Sequence, residues 1–143
     1  MTRKNWFSNF VPYDVPLEAD GIKYCTPEHF FQAMKTEDPD RRFAIAQVST
    51  PFKAKRLGRA VPLRPNWEDI KVDVMRFAQE HRYRPGTKML DRLRATTGEI
   101  VEWNDWHDCT WGKCVCSKCQ GAGANLLGRL LMEIRDRYNE NTN

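Results

Sequence analysis

Apolar residues recur at helical spacing in several stretches of this chain and alternate in a few shorter ones. The clearest stripe runs from Ala124 to Tyr138, where Leu127, Leu130, Leu131, Ile134 and Tyr138 fall along one helix face. Ile70, Val74 and Phe77 mark one face of a longer helix capped by Asn66. Met89, Leu90 and Leu93 supply a shorter one after Pro85-Gly86, and Phe43, Ile45, Ala46 and Val48 lie in a helix opened by Pro39-Asp40. Two starts share one signature, a Thr cap followed by Pro at the first helical position. Thr26-Pro27-Glu28 opens a helix to about Thr36, with Glu28 against its positive end, and Ser49-Thr50-Pro51 opens one ending near Gly58. Glu99-Ile100-Val101-Glu102-Trp103 alternates and reads as a strand, and Trp6 to Phe10 as an extended segment. Asp20-Gly21, between Leu17-Glu18-Ala19 and Ile22-Lys23-Tyr24-Cys25, reads as a hairpin turn, because glycine accepts the positive φ it needs. The apolar stripes are core, and the sum is an α+β fold, one helix-rich domain over residues 1–143 with a few short strands.

Composition sharpens this picture. A chain of 143 residues, 41% hydrophobic and 29% charged, is the size of one domain, can build a core and is not a disordered tail. No apolar run is long enough to span a membrane, and Met1-Thr2-Arg3-Lys4-Asn5-Trp6 lacks the apolar stretch of a secretory signal, so the expected compartment is the cytoplasm. The net charge of +4 is ordinary for a soluble protein. The basic clusters Lys53-Ala54-Lys55-Arg56 with Arg59, and Arg82-Tyr83-Arg84, read as solvated helix faces, with phosphate contact as the alternative. Five Trp and five Cys are the two excesses.

Chemistry concentrates in three places. Glu28, Gln32 and Lys35 stand at i, i+4 and i+7 and share a helix face beside the anchors Phe31 and Met34. Such a line is either a solvent-facing stripe or a carboxylate and an amine side by side in a cleft. There the carboxylate serves as base or electrostatic partner, and a desolvated lysine can attack a carbonyl-like carbon. His29 lies off this line and reads as a core-edge or surface residue. Trp67 follows Arg64-Pro65-Asn66 at a helix start, either exposed for stacking or packed as a cap. Residues 103–111 hold three Trp and two Asp, and this density in a polar loop favours ligand stacking, with Asp108 placed to orient a hydroxyl or meet positive charge. Gly121-Ala122-Gly123-Ala124-Asn125 leads into the last helix, where backbone amides can hold a phosphate or simply turn the chain.

Cys109, Cys114, Cys116 and Cys119 are spaced C-x4-C-x-C-x2-C. Four thiolates can form a tetrahedral structural zinc site, with His107 able to replace Cys109; free thiols and a disulfide are the alternatives. Zinc here would preorganise the loop carrying Asp108 and Trp111, and no cofactor is required for catalysis.

In order, the chain carries Phe7-Ser8-Asn9-Phe10, Asp20-Gly21, Thr26-Pro27-Glu28-His29-Phe30-Phe31-Gln32-Ala33-Met34-Lys35, Gly58-Arg59 and Arg64-Pro65-Asn66-Trp67. Val74-Met75, Val101-Glu102, Asp108-Cys109-Thr110-Trp111-Gly112 and Asn125-Leu126-Leu127-Gly128-Arg129-Leu130-Leu131-Met132 follow. This ordered set resembles the NADAR, or YbiA-like, family over nearly the whole chain. The resemblance implies an α+β fold and an N-glycosidase acting on ADP-ribose attached to guanine in nucleic acid, or on phosphoribosylated amino-pyrimidine intermediates of riboflavin synthesis. In the first case an ADP-ribosyltransferase toxin would be the functional counterpart. It carries functional positions to Glu28, Trp67, Asp108 and Trp111, with Lys35, Asn9 and Arg59 added; Asn125 joins the substrate-binding set. Glu28, Asp108 and Lys35 are then the catalytic candidates. The non-enzymatic alternatives are an ADP-ribose or nucleotide-binding module and a zinc-stabilised nucleic-acid-binding protein.

Overall fold

The computed structural model describes residues 6–140, which gather into two compact units dividing between His81 and Arg82. Six helices and short two-stranded sheets make the fold α+β.

The first unit begins with turns over residues 6–10, where an extended segment was expected; the amide of Val11 reaches back to the carbonyl of Ser8. Strands β1 (Leu17–Ala19) and β2 (Ile22–Tyr24) pair antiparallel around Asp20-Gly21, both residues at positive φ, as the hairpin reading requires. Helix α1 (Pro27–Ala33) is capped by the Thr26 hydroxyl, which accepts the His29 amide. It ends sooner than expected: Lys35 and Thr36 donate to carbonyls three residues back, so the last turn tightens to 3₁₀ spacing. Helices α2 (Pro39–Gln47) and α3 (Pro51–Ala60) follow, capped by Asp38 and Thr50, and α3 runs past Gly58. Helix α4 (Trp67–Arg82) keeps Val74 of its expected face against the core, whereas Phe77 is 56% exposed with its ring 5.6 Å from that of Phe30. Trp67, Met75, Ala78, Gln79 and Arg82 are the buried positions. Phe43 of α2 is likewise exposed. The core of this unit joins Tyr13, Leu17, Tyr24, Phe30, Ala33, Ile45, Ala46, Ala54 and Ala78.

The second unit contains α5 (Lys88–Arg94), capped by Thr87, and α6 (Leu126–Glu140), which pack on each other. Leu127, Leu130, Leu131 and Ile134 are buried, as their spacing predicts. The strand expected over residues 99–103 is reduced to β3 (Trp103–Asn104), parallel to β4 (Lys113–Cys114). Parallel pairing across so short a connection is unusual, and side chains make up for the missing ladder. Asn125 donates from Nδ2 to the Ile100 carbonyl at 2.8 Å and accepts the Glu102 amide at Oδ1 at 3.0 Å, standing in for a neighbouring strand.

Candidate active site

The Glu28–Gln32–Lys35 line is not a solvated stripe. Glu28 and Gln32 are 7% and 4% exposed, and every residue of α1 is buried. Gln32 donates from Nε2 to Glu28 Oε1 at 2.7 Å. The Glu28 backbone is fixed separately, its amide donating to the Asn9 carbonyl at 3.1 Å. A carboxylate this deep is costly unless it is hydrogen-bonded or near positive charge, and both conditions are met. Lys35 lies within the field of Glu28, and Lys55 and Arg59 from α3 act on Lys35 in turn. Burial pushes the Lys35 amine below its ordinary pKa; Glu28 opposes this shift, and Arg59 and Lys55 add to it. The Lys35 side chain lies over the Phe31 ring, 5.9 Å from its centroid.

Two features bring α3 close enough to contribute. Gly58 lies against the Gln32 side chain, where a Cβ would meet Oε1, Cδ and Cβ of Gln32. Arg64 clips the end of α1: its amide donates to the Lys35 carbonyl at 2.9 Å, and its side chain reaches Asn66 and Glu37.

Asn9 is a supporting residue rather than an open ligand contact. Its Oδ1 accepts from Gln79 Nε2 at 2.7 Å and its Nδ2 points at Met75 Sδ. Gln79 is fully buried, and its Oε1 has no partner among the described residues, as is true of Gln32 Oε1. Sequence reasoning passed over Gln79, Arg64 and the Gly58–Gln32 approach; a polar residue on the buried face of α4 was the available signal. Trp67 is packed, 5% exposed and edge-on to Phe31 at 5.1 Å between centroids, so it buttresses the Phe31 ring and presents no open face for stacking. Arg59 is exposed. His29 is fully buried: Nε2 faces the Val48 carbonyl at 3.0 Å and Nδ1 the Thr26 hydroxyl at 2.7 Å. The carbonyl requires an N–H at Nε2, which leaves Nδ1 as acceptor, and burial lowers the His29 pKa. It is a neutral structural residue.

In the second unit the loop residues are held mainly by each other. Asp108 Oδ1 accepts the amides of Thr110 at 3.1 Å and Trp111 at 2.9 Å. This is an Asx turn, which commits one carboxylate oxygen to fixing the backbone of Trp111. Trp111 itself is half-buried. Asn104, buried and not foreseen, is the hub: Oδ1 accepts the amides of Trp106 and Asp108, and Nδ2 donates to the carbonyls of Asp108 and Lys113.

One expectation fails here. The amides of Ala124, Asn125, Leu126 and Leu127 donate to the carbonyls of Cys109, Gly112, Thr110 and Trp111, so these groups are not available to a phosphate. Asn125 is 3% exposed with both ends of its amide committed to backbone, so it holds structure.

Sulfur gathers beside this loop. His107, Cys114, Cys116 and Cys119 bring their donor atoms within 4.8 Å of one another, so His107 takes the place that Cys109 was expected to fill. Hydrogen bonding from the Cys119 backbone lowers the Cys116 thiol to about 7, whereas its contact with Cys116 raises Cys119 to about 12.

These features can be set beside known proteins. Residues 1–139 match the NADAR domain, and the chain belongs to the NADAR family. It is 40% identical over 134 residues to the N-glycosidase YbiA of Escherichia coli (strain K12), covering 92% of this chain and 79% of that protein. It is 31% identical to the maize (Zea mays) chloroplastic riboflavin biosynthesis protein PYRR, covering 90% of this chain and 22% of that one. The NMR structure of the E. coli protein YbiA superposes with a TM-score of 0.77 at 37% identity, covering 95% of this chain and 79% of that one. No helix among the described residues is long and apolar enough to cross a membrane.

Proposed function

We propose that the chain is an N-glycosidase hydrolysing the bond between a ribose and a nitrogen heterocycle, with ADP-ribose on guanine in nucleic acid as the substrate. The observation that carries this reading is a buried carboxylate, Glu28, gripped by Gln32 and within the field of Lys35, on which Lys55 and Arg59 act in turn. Breaking an N-glycosidic bond leaves positive charge on the anomeric carbon while the base departs with the bonding electrons and takes up a proton. Water supplies the hydroxyl that replaces it. A fixed carboxylate stabilises the cation or takes the proton from water, as in glycoside hydrolysis generally. The lysine and arginine cations suit a substrate bearing phosphate, with the exposed Arg59 as the outer contact. Lys35 acts in one of two ways: charged, it meets phosphate; uncharged, as its burial favours, it adds to the aldehyde of the opened ribose to give an imine that water later cleaves. On the second unit, Asp108 fixes the backbone of the half-buried Trp111. An ADP-ribosyltransferase toxin would then be the natural source of the substrate.

The relative named for riboflavin biosynthesis favours a second substrate, a phosphoribosylated amino-pyrimidine. Both carry a phosphate on the 5′ carbon of the ribose whose glycosidic bond breaks, so phosphate contact alone does not choose between them and a competition assay does. Wild-type protein should release ADP-ribose from a guanine-modified oligonucleotide, Glu28→Gln should not, and a phosphoribosylated pyrimidine should compete weakly. If wild type and Glu28→Gln are equally inert on both, the glycosidase reading fails, and tight binding without turnover would make the protein an ADP-ribose-binding module. Borohydride reduction during turnover should add mass at Lys35 only if the imine forms.

A further inference from the structure

The thiol cluster plays no part in this chemistry, and its geometry is that of a metal site. In a tetrahedral zinc centre, metal–sulfur bonds of about 2.3 Å and a metal–nitrogen bond of about 2.0 Å put sulfurs roughly 3.8 Å apart and nitrogen roughly 3.5 Å from each sulfur. His107 Nδ1 lies 3.2 Å from Cys116 Sγ and 3.5 Å from Cys119 Sγ, and all four donor atoms of His107, Cys114, Cys116 and Cys119 fit within 4.8 Å. The backbone is shaped to hold them there. His107 and Gln120 adopt φ of 68° and 51°, conformations that side-chain-bearing residues pay for. The amide of Gln120 donates to the Cys116 carbonyl, and that of Ala122 to the Cys119 carbonyl, closing the turn around the C-x2-C pair. Cys114 is fully buried and its sulfur accepts the His107 amide at 3.3 Å, which anchors the floor of the cluster. Cys109 lies outside, its thiol donating to the Cys119 sulfur at 3.7 Å, the kind of supporting contact that tunes a metal ligand.

We propose that His107, Cys114, Cys116 and Cys119 form a structural zinc site, with Cys109 as a supporting hydrogen-bond donor and not a ligand. Binding exchanges three thiol protons for one Zn²⁺, the protons passing to solvent, and no redox change occurs. A soft donor set of three thiolates and one imidazole, with all four tetrahedral positions filled by protein, leaves no open position for chemistry. The metal ties residues 107–119 into a single piece, and with them the Asp108–Trp111 turn.

Elemental analysis of the full chain, purified under reducing conditions without chelator, should find one zinc per chain. Replacement by Co²⁺ should give the visible absorption of a tetrahedral thiolate site. Cys116→Ser and His107→Ala should each abolish stoichiometric binding. Cys109→Ala should keep one zinc and weaken its affinity by roughly tenfold. Should the Cys116 variant fail to fold, mercurial titration of wild type with a chromophoric chelator reads zinc release directly. The proposal is overturned by reduced protein that neither carries zinc nor binds it on titration, by iron or copper in its place, or by an intact mass showing a cysteine pair oxidised to a disulfide. Loss of zinc in Cys109→Ala with retention in His107→Ala overturns the donor set. Because metal content is measured without substrate, these outcomes are independent of whether the chain proves to be a glycosidase.

Discussion

Replacing Gly58 by Ala tests the approach of α3 to the carboxylate from an unusual direction, since the ordinary effect of that change is stabilising. In a helix interior Ala is favoured over Gly by about 1 kcal/mol, and Gly58 has no positive φ to lose. Here the added Cβ would meet Gln32, at 2.8 Å from Cδ and 2.9 Å from Cβ, with Oε1 closer still. Only the amide end can rotate away. The Gln32 Cβ is fixed by the helix backbone, so the two helices must separate by several tenths of an ångström. Overpacking of this kind costs roughly 1–3 kcal/mol, and three clashing atoms put it near the upper end. The net expectation is a loss of about 2 kcal/mol, or about 6 °C in Tm for a chain of this size. Activity should fall further than stability, because the Gln32 amide that holds Glu28 is displaced. Urea denaturation and a glycosidase assay on the same preparation measure both. In a Gln32→Gly background the obstructing Cβ is gone, and Gly58→Ala should turn stabilising by about 1 kcal/mol, a coupling of about 3 kcal/mol. A Gly58→Ala variant as stable as wild type, or the same loss in the Gln32→Gly background, would refute the argument.

Three further outcomes follow from the geometry. Lys35→Met should be more stable than wild type at neutral pH, because burial penalises the charged amine; that penalty is full below the folded-state pKa and fades as pH rises through it toward 10.5, so urea midpoints of the two proteins should converge in alkali. Asn125→Ala strands the Ile100 carbonyl and the Glu102 amide, and should cost roughly 2–4 kcal/mol in thermal unfolding while leaving KM unchanged in the folded fraction. Asp108→Asn keeps an oxygen for the Thr110 and Trp111 amides and should cost at most about 1 kcal/mol in thermal unfolding, whereas Asp108→Ala should cost roughly 2–3 kcal/mol; equal losses in the two variants would mean that the Asx turn does not hold the loop.

Two helices were legible from a local signal, Thr26 and Thr50 capping through their hydroxyls ahead of a proline, whereas the Thr87 cap was not read. Where the reading failed, tertiary contact had overridden the pattern. Phe77 belongs to an apolar stripe, yet α4 leaves it exposed and buries Met75, Ala78 and Gln79: Ala78 lies in the core of the unit, and Gln79 and Met75 meet Asn9. The Glu28–Gln32–Lys35 spacing pointed to a shared face, but nothing in it distinguished a wet stripe from a buried one; Gly58 decides that, and it lies in another helix. In the second unit the alternation over residues 99–103 was real but found a side chain, Asn125, where a strand was expected. The cysteine spacing identified the cluster and left Cys109 and His107 as alternatives for its fourth member; the positive φ of His107, which decides between them, is not visible in composition.

The hydrogen bonds that shape the loop around Asn104 join residues lying between Ile100 and Leu127. Closing such short spans costs little chain entropy, because that cost grows only slowly from a small base. The segment is therefore a self-wound cassette: its form is written in its own carbonyls and carboxamides. It acquires that form early in folding, and admits replacement of most of its outward side chains provided Asn104, Asp108, Asn125 and the donors His107, Cys114, Cys116 and Cys119 stay. A chain built this way can vary what it presents at the loop surface, where Trp106 stands exposed, without re-solving the backbone beneath.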